Sequence, residues 1–190
     1  MVLITQSADH TLSPGDPAPG FDLPATDGSR VSLATFADRE LLVLSFTCNH
    51  CPYAQGVEQR FIDLAREFMP QGVGFLAISS NDALAYPEDS FENMAERART
   101  KAYPFPYAYD ETQSIAKAYG AVCTPHIFVL DRNRTLVYEG RIDDNWKDFA
   151  AVTSHDLRDA LTAALAGKPV PNPRTNPMGC SIKWKSASRG

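Results

Sequence analysis

The chain has 190 residues, a formal net charge of −5 and a hydrophobic share of 44%. One large domain fits that length, and the composition is globular rather than disordered. An acidic chain with a pI near 5.3 and no basic cluster argues against a dedicated nucleic-acid binder, and its longest strongly apolar stretch, Leu41 to Phe46, is far too short to span a bilayer.

Residues 1–19 are polar, carry Gly and Pro, and read as a loosely ordered extension. They have no basic region and only a short apolar run, unlike a secretory leader. With cysteines too sparse for a secreted scaffold, the expectation is a cytoplasmic protein, or one whose leader has been removed. Phe21–Leu23 and Val31–Leu33 flank Asp27-Gly28 and predict a small hairpin. Leu41–Phe46 predicts a central strand buried on both faces. Val57, Phe61, Leu64 and Phe68 then form one stripe of a helix, stopped by Pro70 and Gly72. A strand over 73–79 follows, then a helix carrying Phe91, Met94, Ala95 and Ala98 with Ser90 as its N-cap.

Tyr107–Tyr109 and Gln113–Tyr119 read as a short strand and a short helix. Ile127–Leu130 is another buried strand, with Thr135–Tyr138 as its hairpin partner. Leu157, Leu161, Ala164 and Leu165 mark a last helix. Thr153 and Asp156 resemble a capping box before it, and Gly167 suits its C′ position. A proline-rich linker begins at 168, and Ser181–Lys185 alternates as a short docked strand would. The division is a 1–19 extension, a 20–167 domain and a 168–190 linker and tail. Strands alternating with helices imply a central sheet covered on both faces.

The sharpest chemical signal is Thr47-Cys48-Asn49-His50-Cys51-Pro52-Tyr53, between the buried strand and the first helix. A helix N-terminus favours an anion, so a thiolate is stabilised there. Cys48 would be the exposed attacking thiol and Cys51 the resolving one. His50, when protonated, would lower the thiolate pKa further. The alternative is a metal site, since Cys123-Thr124-Pro125-His126 offers a second Cys and a His at suitable spacing. His10 and His155 look incidental. Trp146 and Trp184 read as packing residues, and Asp143-Asp144 as a solvated turn.

Thr124-Pro125 opens the strand at Ile127, where a proline is tolerated. Here the sequence resembles the thioredoxin superfamily, whose cis-proline loop faces the CxxC. The resemblance implies that Thr124 pairs by backbone hydrogen bonds with a bound peptide. FTCNHCPY, AISSND, YPEDSFENM, YDETQSIAKAYGAVCTP, IDDNW and GCSIKWK are similar to one branch, the bacterial peroxiredoxin-like (AhpC/TSA-type) proteins of that superfamily. The implied fold is α/β and thioredoxin-like, a mixed central sheet flanked by helices with an N-terminal hairpin extension and a C-terminal tail.

The residues depart from both parent types. Against a peroxidase, Cys48 stands where that family has a threonine, Ala54 where it often has a glutamate, and Pro125 where it has an arginine. Against a thioredoxin, Leu42 replaces the buried aspartate used in proton transfer and Asn49-His50 replaces Gly-Pro. His126 stands where the branch has an acidic residue.

The leading expectation is a thiol–disulfide oxidoreductase using Cys48, Cys51, His50, Asn49 and Pro125, with Thr124 and Pro125 binding substrate. Its partners would be protein or small-molecule thiols and disulfides and a recycling reductant, without cofactor, metal, nucleic acid or membrane. The alternatives are a thiol peroxidase with Cys51 attacking peroxide, and a metal-binding or redox-sensing module of Cys48, Cys51, Cys123 and His126. Cys123 reads as a small buried residue or an auxiliary thiol. Cys180 reads as incidental or as a resolving cysteine returned by the tail. A cytosolic setting favours a reductant and a His beside the second cysteine favours an oxidant, so direction stays open.

Overall fold

A computed structural model describes residues 12–186 and the backbone of 2–4; His10 lies outside the described residues. The central sheet has five strands: β4 (Leu41–Phe46), β5 (Val73–Ser79), β6 (Tyr107–Tyr109), β8 (His126–Leu130) and β9 (Leu136–Gly140). Their order is β6-β5-β4-β8-β9, parallel across β6-β5-β4 and antiparallel from β4 to β8 and β9. This is the expected mixed sheet. The hairpin is β2 (Asp22–Pro24) with β3 (Arg30–Ser32). A third sheet joins β1 (Val2–Ile4), β10 (Met178–Ser181) and β7 (Cys123–Thr124) in the order β1-β10-β7.

Strand alternation divides β4 between two cores. Leu41 and Val43 face one core with α1 (Pro52–Phe68), α2 (Phe91–Thr100) and α4 (Asp156–Leu165). Leu42, Leu44 and Phe46 face the other with the hairpin and α3 (Ser114–Tyr119). Every residue of β4 is buried, as a doubly covered strand requires. Val57, Phe61, Leu64 and Phe68 form the buried stripe of α1, and Ser90 Oγ accepts from Asn93 N at 3.3 Å. Among the described residues, no helix is long and apolar enough to cross a membrane.

Several expectations change. Residues 12–19 are tied down: Gly15 N donates to Leu136 O at 2.8 Å and Ala18 N to Arg134 O at 2.8 Å. The capping box before α4 is absent because Thr153 is engaged elsewhere, its backbone N donating to Asp144 Oδ1 at 2.9 Å; His155 takes the N-cap position. The docked tail strand lies earlier than the alternation suggests. It ends at Ser181, and Ile182 is then buried in the second core.

Asp143 is not part of a solvated turn. Its carboxylate is buried and takes Arg60 Nη1 at 2.5 Å. The same guanidinium donates to Asn145 O at 2.8 Å and Trp146 O at 2.9 Å, clamping the 143–146 loop onto α1. Trp146 is thereby pressed on Tyr53, with ring centroids 4.2 Å apart, beside the cysteine pair. Removing one partner of a buried ion pair strands the other. Arg60→Ala should therefore cost about 3–5 kcal/mol in denaturant unfolding; a loss below about 1 kcal/mol would show that the clamp carries no weight.

Candidate active site

Cys51 is the N-cap of α1, with Pro52 in the first turn. Proline there fixes a helical φ and sacrifices only an N–H that would lack an intrahelical partner. Cys48 lies between β4 and that helix start. Both thiols are buried, Cys48 at 4% and Cys51 at 0% exposure, which corrects the reading of Cys48 as an exposed thiol. The Thr124–Pro125 peptide bond is cis, and the loop faces the pair. Thr124 serves both sulfurs: its Oγ1 lies 3.2 Å from Cys48 Sγ and its carbonyl oxygen 3.1 Å from Cys51 Sγ.

The two sulfurs differ in environment. Cys51 is pulled down to about 4, first by the S–H of Cys48, then by the Ala54 N–H and by the thiol and N–H of Cys180, against the opposing effect of burial. Cys48 is pushed well above its ordinary value by its hydrogen bond to Cys51, by burial and by the charge of Asp89. These influences favour the anion on Cys51, whereas the donation of Cys51 Sγ to the Thr124 carbonyl holds a proton there, so the reduced pair shares a single proton between two positions. Of the groups at the helix N-terminus, the Ala54 N–H bears on the second cysteine rather than the first.

Asp89 is the residue that sequence reasoning missed. It sits fully buried in a turn over Pro87–Asp89. Its carboxylate accepts from Asn49 N at 2.7 Å, His50 N at 3.2 Å and Asn81 Nδ2 at 2.7 Å, and pairs with His50 Nδ1 at 2.6 Å. A Cys48 sulfur, a His50 ring nitrogen and an Asp89 oxygen all lie within 4.8 Å of one another. His50 also stacks on Tyr86, with centroids 5.2 Å apart. The sequence signal was only the block YPEDSFENM, whose spacing implies no contact with the CxxC.

Asn49 is a tether. Its amide donates to Glu88 O at 2.9 Å and accepts from Tyr107 OH at 3.2 Å. Leu42 is buried in the second core and offers no proton acceptor. Glu58 lines a small cavity behind Cys48, but its carboxylate is committed to Arg97 Nε at 2.6 Å and Tyr103 OH at 2.5 Å.

Cys48, Cys51, Cys123 and His126 do not form a ligand group among the described residues. His126 Nε2 points toward Glu139 Oε1 at 3.4 Å and its ring packs on Phe128. Cys123 is fully buried, its thiol pushed up to about 12 by that burial, and its Sγ donates to Pro125 O at 3.6 Å. Cys180 packs against the cluster of Cys48, Cys51, Tyr53 and Ala54. Thr124, expected to pair with a peptide, is paired instead with Cys180 of β10. Trp184 is 42% exposed and lies under Lys117 Nζ.

The profile of the AhpC/TSA family matches residues 14–139. A crystal structure of an uncharacterized conserved protein from Geobacillus kaustophilus is 46% identical, with a TM-score of 0.88, covering 93% of this chain and 95% of that one. A hypothetical protein from Sinorhizobium meliloti 1021 is 40% identical, with a TM-score of 0.88, covering 93% of this chain and 97% of that one. A Mycobacterium tuberculosis H37Rv chain named "Putative peroxiredoxin" is 30% identical over 110 residues, 58% of this chain and 65% of that relative. With a matching profile over most of its length and a thioredoxin-like α/β fold, the chain belongs to the AhpC/TSA family.

Proposed function

We propose that the protein is a thiol–disulfide oxidoreductase working through Cys48 and Cys51. The observation that supports this most is the placement of Thr124 between the two sulfurs, with its hydroxyl at Cys48 and its carbonyl at Cys51. The pair shares one proton and can hold it on either side. With the proton on Cys51, that thiol donates to the Thr124 carbonyl, and the Cys48 thiolate accepts the Thr124 hydroxyl. Cys48 is the attacking group in this form. His50 and Asp89 are the groups beside it that can take or return a proton.

The exchange balances in two steps. Cys48 attacks one sulfur of a substrate disulfide, whose S–S bond breaks, and the leaving thiolate takes up a proton. Cys51 loses its proton and attacks Cys48 Sγ, releasing the second substrate thiol and closing a Cys48–Cys51 bond. Two electrons pass from the pair to the substrate; one proton comes from Cys51, and the one taken up by the first leaving thiolate comes from solvent. An external dithiol restores the pair, and the reverse sequence oxidises a substrate dithiol.

A second reading is supported by the low pKa of Cys51 and by the relative named as a peroxiredoxin. A Cys51 thiolate could reduce peroxide, but Pro125 stands where that chemistry has an arginine, and the loss of one such donor costs about 10²–10³ in rate. Reduced protein should therefore react with a small disulfide to give a Cys48–Cys51 bond by peptide mapping, and consume hydrogen peroxide slowly. Rapid peroxide consumption that survives Cys48→Ser and vanishes in Cys51→Ser would replace this reading with a peroxidase.

The charge distribution predicts a pH profile. A folded Cys51 near 4 against about 8.5 unfolded contributes stability that is present at high pH and lost as pH falls toward about 4. Cys48 is raised, so its contribution is lost as pH climbs above its unfolded value of about 8.5. The stability of the reduced protein relative to its Cys48–Cys51 disulfide form should thus peak near pH 8.5, a value of about the free thiol's pKa. Denaturant unfolding of both forms across pH checks this; a flat difference would contradict it.

A further inference from the structure

The tail strand converges on the cysteine pair in three ways. β10 runs antiparallel to β7, with Cys180 opposite Thr124 and Ser181 opposite Cys123. Gly179 lies flat on the Thr124–Pro125 peptide: a Cβ there would stand 2.2 Å from Thr124 O and 2.6 Å from Thr124 C. Only glycine permits so close an approach. Cys180 packs against the buried cluster that holds Cys48 and Cys51. Past the strand the tail is held by Lys183 N donating to Asn81 Oδ1 at 2.8 Å and Gln113 Nε2 donating to Lys183 O at 2.9 Å.

β7 is a short strand beside a reactive thiol pair, the kind of edge to which an extended chain adds. Here the chain's own tail fills it. We propose that Cys180 is a third redox thiol of this site, and that β10 is a built-in substrate strand accepting the disulfide as a Cys51–Cys180 bond. The proposal rests on the disulfide-exchange reading above. Once Cys48 and Cys51 are joined, Cys180 loses its proton and attacks Cys51 Sγ. The Cys48–Cys51 bond breaks, Cys51–Cys180 forms, and Cys48 leaves as a thiolate that takes up the released proton. No electrons are gained or lost, so no further oxidant is needed.

Two features favour this direction. Cys51 Sγ lies 3.1 Å from the carbonyl oxygen of Thr124, the register partner of Cys180, so it is the sulfur placed to change partners. Burial, the hydrogen bond to Cys51 and the Cys51 charge hold the Cys180 thiol up to about 11, and the charge disappears when Cys51 enters a disulfide. The product bond includes the half-buried Cys180 in place of the sealed Cys48, and so lies nearer to an external dithiol.

The test uses the Cys48→Ser variant of the full chain, equilibrated in a glutathione–glutathione disulfide buffer and mapped by mass spectrometry. A Cys51–Cys180 bond should exceed the Cys51–glutathione adduct by about tenfold or more, the advantage of a held neighbour over a free thiol. Adding Gly179→Val, which cannot lie on Thr124, should reverse that ratio. An accumulated glutathione adduct without the Cys51–Cys180 bond would overturn the proposal. Should the Cys48→Ser chain not fold, the oxidised wild-type protein decides the matter. A fraction carrying Cys51–Cys180 supports the relay, and Cys48–Cys51 alone with Cys180 fully alkylated refutes it. Failure of the Cys48–Cys51 bond to form in wild type, with Cys51–Cys180 intact in Cys48→Ser, counts against the exchange reading and leaves the tail contact standing.

Discussion

Thr124 is the residue on which the site turns. Its hydroxyl faces Cys48, its carbonyl faces Cys51, and its backbone is the register partner of Cys180. One residue thus meets two thiols and pairs with the strand that carries the third cysteine. This concentration follows from the topology. β8 lies next to β4 in the central sheet, so the chain entering β8 arrives beside the chain leaving β4. The CxxC leaves β4, and Thr124-Pro125 enters β8. Tail and loop then close over the pair from the remaining side.

A second constraint is the buried charge. Asp89 would be costly in the interior without partners, and its two oxygens are met by two backbone N–H groups, the Asn81 amide and the His50 ring. Both backbone donors belong to the CxxC itself, so the carboxylate fixes the shape of the active-site turn while raising the pKa of Cys48. A carboxylate in β4 would instead face the apolar second core, where Leu42 packs with Leu44 and Phe46. The Pro87–Asp89 turn brings the acid to the other end of the strand, beside the sulfurs. The proton shared by Cys48 and Cys51 and the carboxylate of Asp89 form one arrangement.

Much of this architecture was legible in the residues. The apolar run at Leu41, the stripe from Val57 to Phe68 and the Ser90 cap act through local period and local hydrogen bonds, and those are written in the sequence. The CxxC at a helix start and the proline before Ile127 were legible for the same reason. What escaped was long-range pairing. The Asp89–His50 contact spans 39 residues, and Arg60 reaches across 83 to Asp143. Thr153 was misread because a distant carboxylate, Asp144, outcompetes the helix end nearby. The difference between Cys48 and Cys51 also depends on the tail, since the Cys180 thiol and N–H bear on one sulfur only.

The central claim is that Thr124 prepares the attacking form of the pair by donating its hydroxyl to a Cys48 thiolate. Thr124→Val removes that donor and keeps the branched shape. The most direct measurement is the rate at which the reduced variant attacks a small disulfide, set beside wild type and a Thr124→Ser control. A hydrogen bond to a charged group is worth about 1.5–3 kcal/mol, so the valine variant should react slower by about tenfold or more while serine restores the rate. An unchanged rate in Thr124→Val would contradict the account.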